Sequence, residues 1–266
     1  MNLRRRLTAA VPLHEVERME RRHLLTRVLP LTAAALVQAA CSDNQRPGPL
    51  ALVYRGPAAC DGCAESAAAL LTSSPSRFQV KYCGPQEKLP LSADTLATAH
   101  LYVQPGGGND LHKAWRSVRK FGDPLREWLH NGGRYLGICM GAYLAGREPG
   151  WGLLPGDTAE YVGSQGATVS SPSDTVVSVR WRGKPRHMYF QDGPYFVLNK
   201  GAKATVLATY DNGVPAAVVA PYGAGQVGVV GPHPEADASW YAEYNLKNPD
   251  GIHFDLGYDL VKTVMS

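Results

Sequence analysis

Short apolar runs bounded by glycine or proline, interleaved with helical stretches, constrain this chain's fold more than any other feature. Leu50-Ala51-Leu52-Val53-Tyr54 ends at Gly56-Pro57. Phe78-Gln79-Val80-Lys81-Tyr82 ends at Gly84-Pro85, and His100-Leu101-Tyr102-Val103 at Pro105-Gly106-Gly107-Gly108. A fourth run, Arg134 to Ile138, opens after Gly132-Gly133. Each has the length and bounding residues of a buried strand. Ala64 to Leu71, Leu111 to His130 (broken near Gly122-Asp123-Pro124) and Met140 to Ala145 read as helices between them. This β-α-β-α order predicts an α/β fold: a flavodoxin-like, doubly wound, mainly parallel sheet with helices on both faces. From Thr175 onward the pattern shifts to short β-like runs: Thr175 to Trp181, Val197 to Leu198, Thr205 to Tyr210, Ala216 to Val219 and Gln226 to Val230. Turns at Arg182-Gly183-Lys184-Pro185, Asp211-Asn212-Gly213 and Tyr222-Gly223-Ala224-Gly225 separate several of them, so the C-terminal half is expected to extend the sheet with antiparallel strands. Gly251 to Ser266 reads as a closing helix.

The domain is expected to span 50–266, preceded by an export signal over 1–40 and a Pro/Gly-rich tether over 41–49. Arg21-Arg22-His23-Leu24-Leu25 precedes an uncharged run from Val28 to Ala40, too short to span a bilayer. Paired arginines before such a run resemble a twin-arginine signal, with Met19 a candidate for the true start. Ala39-Ala40-Cys41 makes Cys41 a candidate for lipidation and a membrane tether, although Gln38 stands where a lipoprotein signal wants Leu. The expected location is therefore periplasmic or extracellular. Charge supports no nucleic-acid surface. The first 30 residues hold seven arginines against three glutamates, and that surplus of four equals the whole net charge of +4.

Gly137-Ile138-Cys139-Met140-Gly141 joins a strand to a helix. Glycines around a central nucleophile permit a sharp elbow, and the helix start favours thiolate at Cys139. Gly231-Pro232-His233-Pro234-Glu235 follows the run Gln226 to Val230. There His233 can move the thiol proton while Glu235 orients the imidazole.

Together these segments resemble the class I glutamine amidotransferase family, in which a Gly-x-Cys-x-Gly elbow is completed by a late His-Pro-Glu. The resemblance implies a Cys139-His233-Glu235 triad. It also gives the loop Pro105-Gly106-Gly107-Gly108 an oxyanion role, with Gly107, Gly108 and Met140 as backbone candidates. A closer resemblance is to the biotin–protein ligase N-terminal domain family. It rests on Tyr54-Arg55-Gly56-Pro57, Pro105 to Gly108, Gly137-Ile138-Cys139-Met140-Gly141-Ala142-Tyr143, Gly231 to Glu235, and Asp192-Gly193-Pro194-Tyr195-Phe196. Tyr54, Tyr143 and Asp192 are accordingly pocket candidates. No ligase core follows, so biotin transfer is not implied. Tyr143 stands where glutamine-using members commonly carry Gln, and no acceptor domain is evident, so glutaminase activity is not expected.

Cys60, Cys63 and Cys83 are disulfide candidates, with Cys83 paired to Cys60 or Cys63 as the favoured bridge. Every cysteine of the domain is expected at the active-site edge of the sheet. His112, His187 and His253 lack partners at ligand spacing, and neither a metal nor a cofactor is expected. Tyr189, Tyr195 and Phe196 are read as core, while Trp240, Tyr241 and Tyr244 either cover the site or pack against it. Three functions fit: an amide or acyl hydrolase or transferase acting on a small-molecule or peptide-like substrate, a binding or scaffold domain without turnover, and a thiol redox protein using Cys60, Cys63 and Cys83. The sequence leaves the oligomeric state open.

Overall fold

The computed structural model describes residues 47–266; the expected export segment, Met19, Arg21, Arg22 and Cys41 lie outside the described residues. Strand β1 (Leu50–Tyr54) alternates its side chains between two cores. Ala51 and Val53 face one core with Leu71, Leu260 and Val264; Leu52 and Tyr54 face the other with Leu125, Leu129 and Leu144. Burial on both faces is why the run is continuously apolar. Helix α1 (Cys63–Ser73) leads to β2 (Gln79–Cys83), and α2 (Ala93–Ala97) to β3 (Leu101–Gln104). The long helical stretch divides as expected at Gly122, into α3 (Leu111–Val118), a 3-10 turn (Arg119–Phe121) and α4 (Gly122–His130). Pro124 sits in the first turn of α4, where a missing N–H costs nothing. Strand β4 (Arg134–Ile138) and α5 (Met140–Leu144) follow.

The second half contributes β5 (Gly156–Glu160), β6 (Thr175–Trp181), β7 (Lys184–Phe190), β8 (Pro194–Leu198), β9 (Thr205–Tyr210), β10 (Pro215–Tyr222), β11 (Gly225–Val230), α6 (Ala238–Glu243) and α7 (Asp255–Met265). The main sheet runs β2-β1-β3-β4-β11-β10-β9-β6-β7, and β5 pairs with β8 in a separate two-stranded sheet. From β2 to β11 all pairings are parallel; from β11 to β7 all are antiparallel. The N-terminal half has the doubly wound, parallel layout and the C-terminal half the β-rich antiparallel extension that the sequence predicts, the sheet as a whole being half parallel and half antiparallel rather than mainly parallel.

Two strands escape the sequence reading for physical reasons. The turn placed over Arg182 to Pro185 is tighter: Arg182 (φ 46°) and Gly183 (φ 80°) form a two-residue hairpin loop, and Lys184 already belongs to β7. Pro185 masks β7 in the sequence but is tolerated because β7 is the edge strand. Strand β5 reads Gly-Asp-Thr-Ala-Glu and lacks apolar alternation, since it pairs only with β8.

Candidate active site

The carboxyl ends of β3, β4 and β11 meet at one edge of the sheet, and each delivers one part of the site. Between β4 and α5, Cys139 takes φ 49° and ψ −105°, a conformation side chains rarely adopt. The glycines on either side of it make the bend possible. A methyl on Gly137 would lie 2.5 Å from the Gly141 carbonyl oxygen, and one on Gly141 would lie 1.9 Å from the Gln104 carbonyl oxygen. Tyr135 Oη donates to the Gly141 carbonyl at 2.7 Å, and Cys139 N–H donates to the Val230 carbonyl at 2.9 Å. The elbow is thereby fastened to β4 and β11. Backbone strain of this kind persists only where the surroundings over-determine it.

Strand β11 ends one residue before Gly231, and His233 follows in an isolated antiparallel bridge to Tyr189. Its N–H donates to the Tyr189 carbonyl at 2.8 Å. Nδ1 meets Glu235 Oε1 at 2.8 Å; His233 is 4% exposed and Glu235 is fully buried. A proton on Nδ1 facing the carboxylate leaves Nε2 as the basic nitrogen, and Nε2 has no hydrogen-bond partner. Burial lowers the His233 pKa, but the charges of Glu235 and Cys139 outweigh it and raise the imidazole above its usual value. Cys139 thus lies close enough to act on the ring. Its Sγ, however, donates to the Gln191 carbonyl at 3.4 Å, so the thiol is turned toward the cleft wall rather than aligned with Nε2. Tyr189 stands edge-on to the imidazole at 6.0 Å and Trp240 lies tilted against it at 5.1 Å. Tyr189, read from the sequence as core, and Trp240, left open, thus both pack directly on His233.

Cys139 and Met140 line a cleft of about 830 Å³, together with Gly107, Gly108, Tyr143 and Asp192. Five of the sequence candidates are therefore gathered around Cys139. Tyr143 has its phenol pKa raised by burial and by the neighbouring Cys139, Asp192 and Glu160. Asp192 holds φ 51°, and its pKa is raised by burial and then by Glu160. The glycine loop is anchored from behind by fully buried Gln104, which accepts from Tyr102 Oη at 2.7 Å and donates to the Ala58 carbonyl at 3.2 Å.

Two expectations are corrected. Tyr54 does not line the cleft; it is 1% exposed and belongs to the core on the α3–α5 face. Its neighbour Arg55 is equally structural, clamping Glu87 at 2.7 Å and Glu65 at 2.9 Å. The favoured bridge to Cys83 is also wrong. Cys60 and Cys63 are bonded to each other, while Cys83 is a free, buried thiol at the end of β2 whose pKa burial pushes up to about 12. The Cys60–Cys63 turn lies against the glycine loop, with Cys60 N–H donating to the Gly106 carbonyl at 3.0 Å. Cys83 packs instead into the opposite core with Leu91 and Leu96.

Gln191, Glu160 and Asp174 line the cleft without having been singled out from the sequence. Gln191 adjoins the Asp192 motif, a signal that was present. Glu160 and Asp174 sit in polar segments with no pattern to mark them. His187 is engaged by Asp250, its N–H donating to Oδ2 at 2.6 Å. Among the described residues no cluster of three or more His, Cys, Asp or Glu side chains suits a metal ion.

The parallel sheet, the strand-to-helix elbow and the glycine loop make a fold like that of the glutamine amidotransferases. Residues 50–153 match the family model described as biotin-protein ligase, N terminal, which bears out the resemblance seen in the motifs over that stretch. The match includes Cys139 and stops before His233. Among solved structures, a glutamine amido transferase from Methylobacillus flagellatus aligns with TM-score 0.50 and 13% identity, over 75% of each chain. Cytoplasmic protein STM3548 from Salmonella typhimurium aligns with TM-score 0.50 and 14% identity, over 81% of this chain and 98% of that one. Exo-beta-1,4-mannosidase Op5Man5 from Opitutaceae bacterium strain TAV5 aligns with TM-score 0.47 and 16% identity, over 76% of this chain, which spans only 36% of the mannosidase. At these identities the likeness is one of fold. No curated protein matches the sequence.

Proposed function

We propose that the domain is a cysteine-dependent amide or acyl hydrolase or transferase, with Cys139 as nucleophile, His233 as proton carrier and Glu235 as the group that orients it. The observation that carries this reading is the buried imidazole beside Cys139, held by Glu235 through Nδ1 and left without a partner at Nε2. Turning Sγ from the Gln191 carbonyl toward Nε2 forms a thiolate–imidazolium pair. The thiolate then attacks the carbonyl carbon: an S–C bond forms, and the π pair moves to oxygen, facing the N–H groups of Gly107 and Met140. Collapse of this intermediate breaks the bond to the leaving amine, which takes its proton from His233. A water or acceptor amine, deprotonated by the now neutral imidazole, cleaves the thioester and restores the starting pair.

Substrate reaches the domain outside the cytoplasm in this reading. Support comes from the Arg21-Arg22 pair, the uncharged run to Ala40 and the candidate anchor Cys41. A panel of small amides and esters tests the chemistry. Turnover is expected to vanish in Cys139→Ala, and turnover that survives this substitution would remove the proposal. The Sγ–Gln191 bond and Tyr143 favour a second reading, a ligand-binding domain of the same fold without turnover. Absence of turnover across the panel, combined with ligand-induced protection of Cys139 from alkylation, would favour that second reading.

A further inference from the structure

The cleft over Cys139 has a charge of its own. Among the described residues, Glu160, Asp174 and Asp192 line it, and no lysine, arginine or histidine does. We propose that this cleft selects substrates carrying an ammonium or guanidinium group beside the reacting carbonyl, recognised chiefly by Asp192 and Glu160. The inference deepens the nucleophile reading and rests on it.

Three observations carry it. First, Asp192 Oδ1 is buried and has no hydrogen-bond donor. Burial and the charge of Glu160 both raise its pKa, as expected of a group short of positive charge. Second, the other carboxylates are not equivalent. Asp174 accepts the Tyr189 hydroxyl, whereas Glu160 is exposed at the cleft wall and makes no ion pair among the described residues. Third, a ligand is called for independently of the acids. Cys139 lines this cleft, and beside it His233, 4% exposed and outside the cleft lining, holds Nε2 without a partner. A carboxylate-bearing ligand would meet three carboxylates and no cation, while a cationic one would supply the missing counter-charge.

Methanethiosulfonate reagents of matched size but different charge test this on the intact chain. The trimethylammonium-ethyl, sulfonatoethyl and neutral methyl reagents each add to the Cys139 thiolate and expel a sulfinate. Rates are read by mass on the Cys139 peptide, and the cation-to-anion ratio is divided by the ratio for the chain unfolded in urea. The expected result is a normalised preference for the cation of at least tenfold. It should shrink as salt rises from 20 to 500 mM and fall at least tenfold in Glu160→Gln/Asp192→Asn. A normalised ratio below tenfold, with neutral-reagent labelling still dependent on His233, would overturn the charge selection and leave the nucleophile standing. Neutral-reagent labelling no faster than in the unfolded chain would overturn both. If the double variant fails to fold, the wild-type ratio and its salt dependence decide the matter alone.

Discussion

Gly141→Ala is expected to destabilise the domain by about 3–5 kcal/mol, lowering Tm on the order of 10 °C. The added methyl would lie 1.9 Å from the Gln104 carbonyl oxygen. Neither side can yield cheaply. Gln104 is fully buried, pairs in β3 with Gly137 of β4, and holds Tyr102 and Ala58 through its side chain. Gly141 is itself fixed by Tyr135 Oη. Such overlap between backbone and a new Cβ ends in displaced strands, which is the costly form of overpacking. Gly108→Ala serves as the control: a methyl there meets nothing within 4 Å, and a change within about 0.5 kcal/mol is expected. Thermal or urea unfolding of the two variants decides it. A Gly141→Ala melt within 2 °C of the parent would show that the elbow is not packed as described.

Glu235→Gln is expected to cost about 1–3 kcal/mol near pH 6 and to flatten the pH dependence of stability above neutrality. The substitution keeps an acceptor for Nδ1 but removes the charge. In the native protein Glu235 and Cys139 raise the buried His233 imidazole, against the lowering effect of burial, to about 10. A folded-state pKa above the unfolded value of about 6.5 means that the native state binds the extra proton. The stabilisation is therefore present in full below about pH 6.5 and is lost as the pH rises through the folded-state value. Removing the carboxylate charge lowers that value, so the penalty is largest at low pH and closes toward pH 10. Denaturant melts from pH 5 to 10 check the shape. A penalty that grows with rising pH would contradict the assigned pairing of His233 with Glu235.

Much of the fold is legible from residues alone. Leu50 to Tyr54 and Arg134 to Ile138 are strands at those limits because both faces are buried, and burial on both faces leaves an unbroken apolar run. The elbow is legible because its two close approaches admit only glycine. What escapes the sequence is set by tertiary partners. Edge position licenses Pro185 in β7, and pairing with β8 makes a strand of polar β5. The bridge between Cys60 and Cys63 depends on where β2 ends, which spacing does not reveal: Cys83 points into the far core. The acidic character of the cleft arises from Glu160, Asp174 and Asp192 converging from β5 and the loops around β6 and β7, and no local pattern announces that.

The central claim is that His233 activates Cys139, and the rate of Cys139 alkylation by iodoacetamide at pH 7 tests it most directly. His233→Ala is expected to slow that rate by about tenfold or more while Cys83, buried at the end of β2, stays unmodified in both proteins. Equal rates in the parent and the variant, with both shown to be folded, would contradict the account.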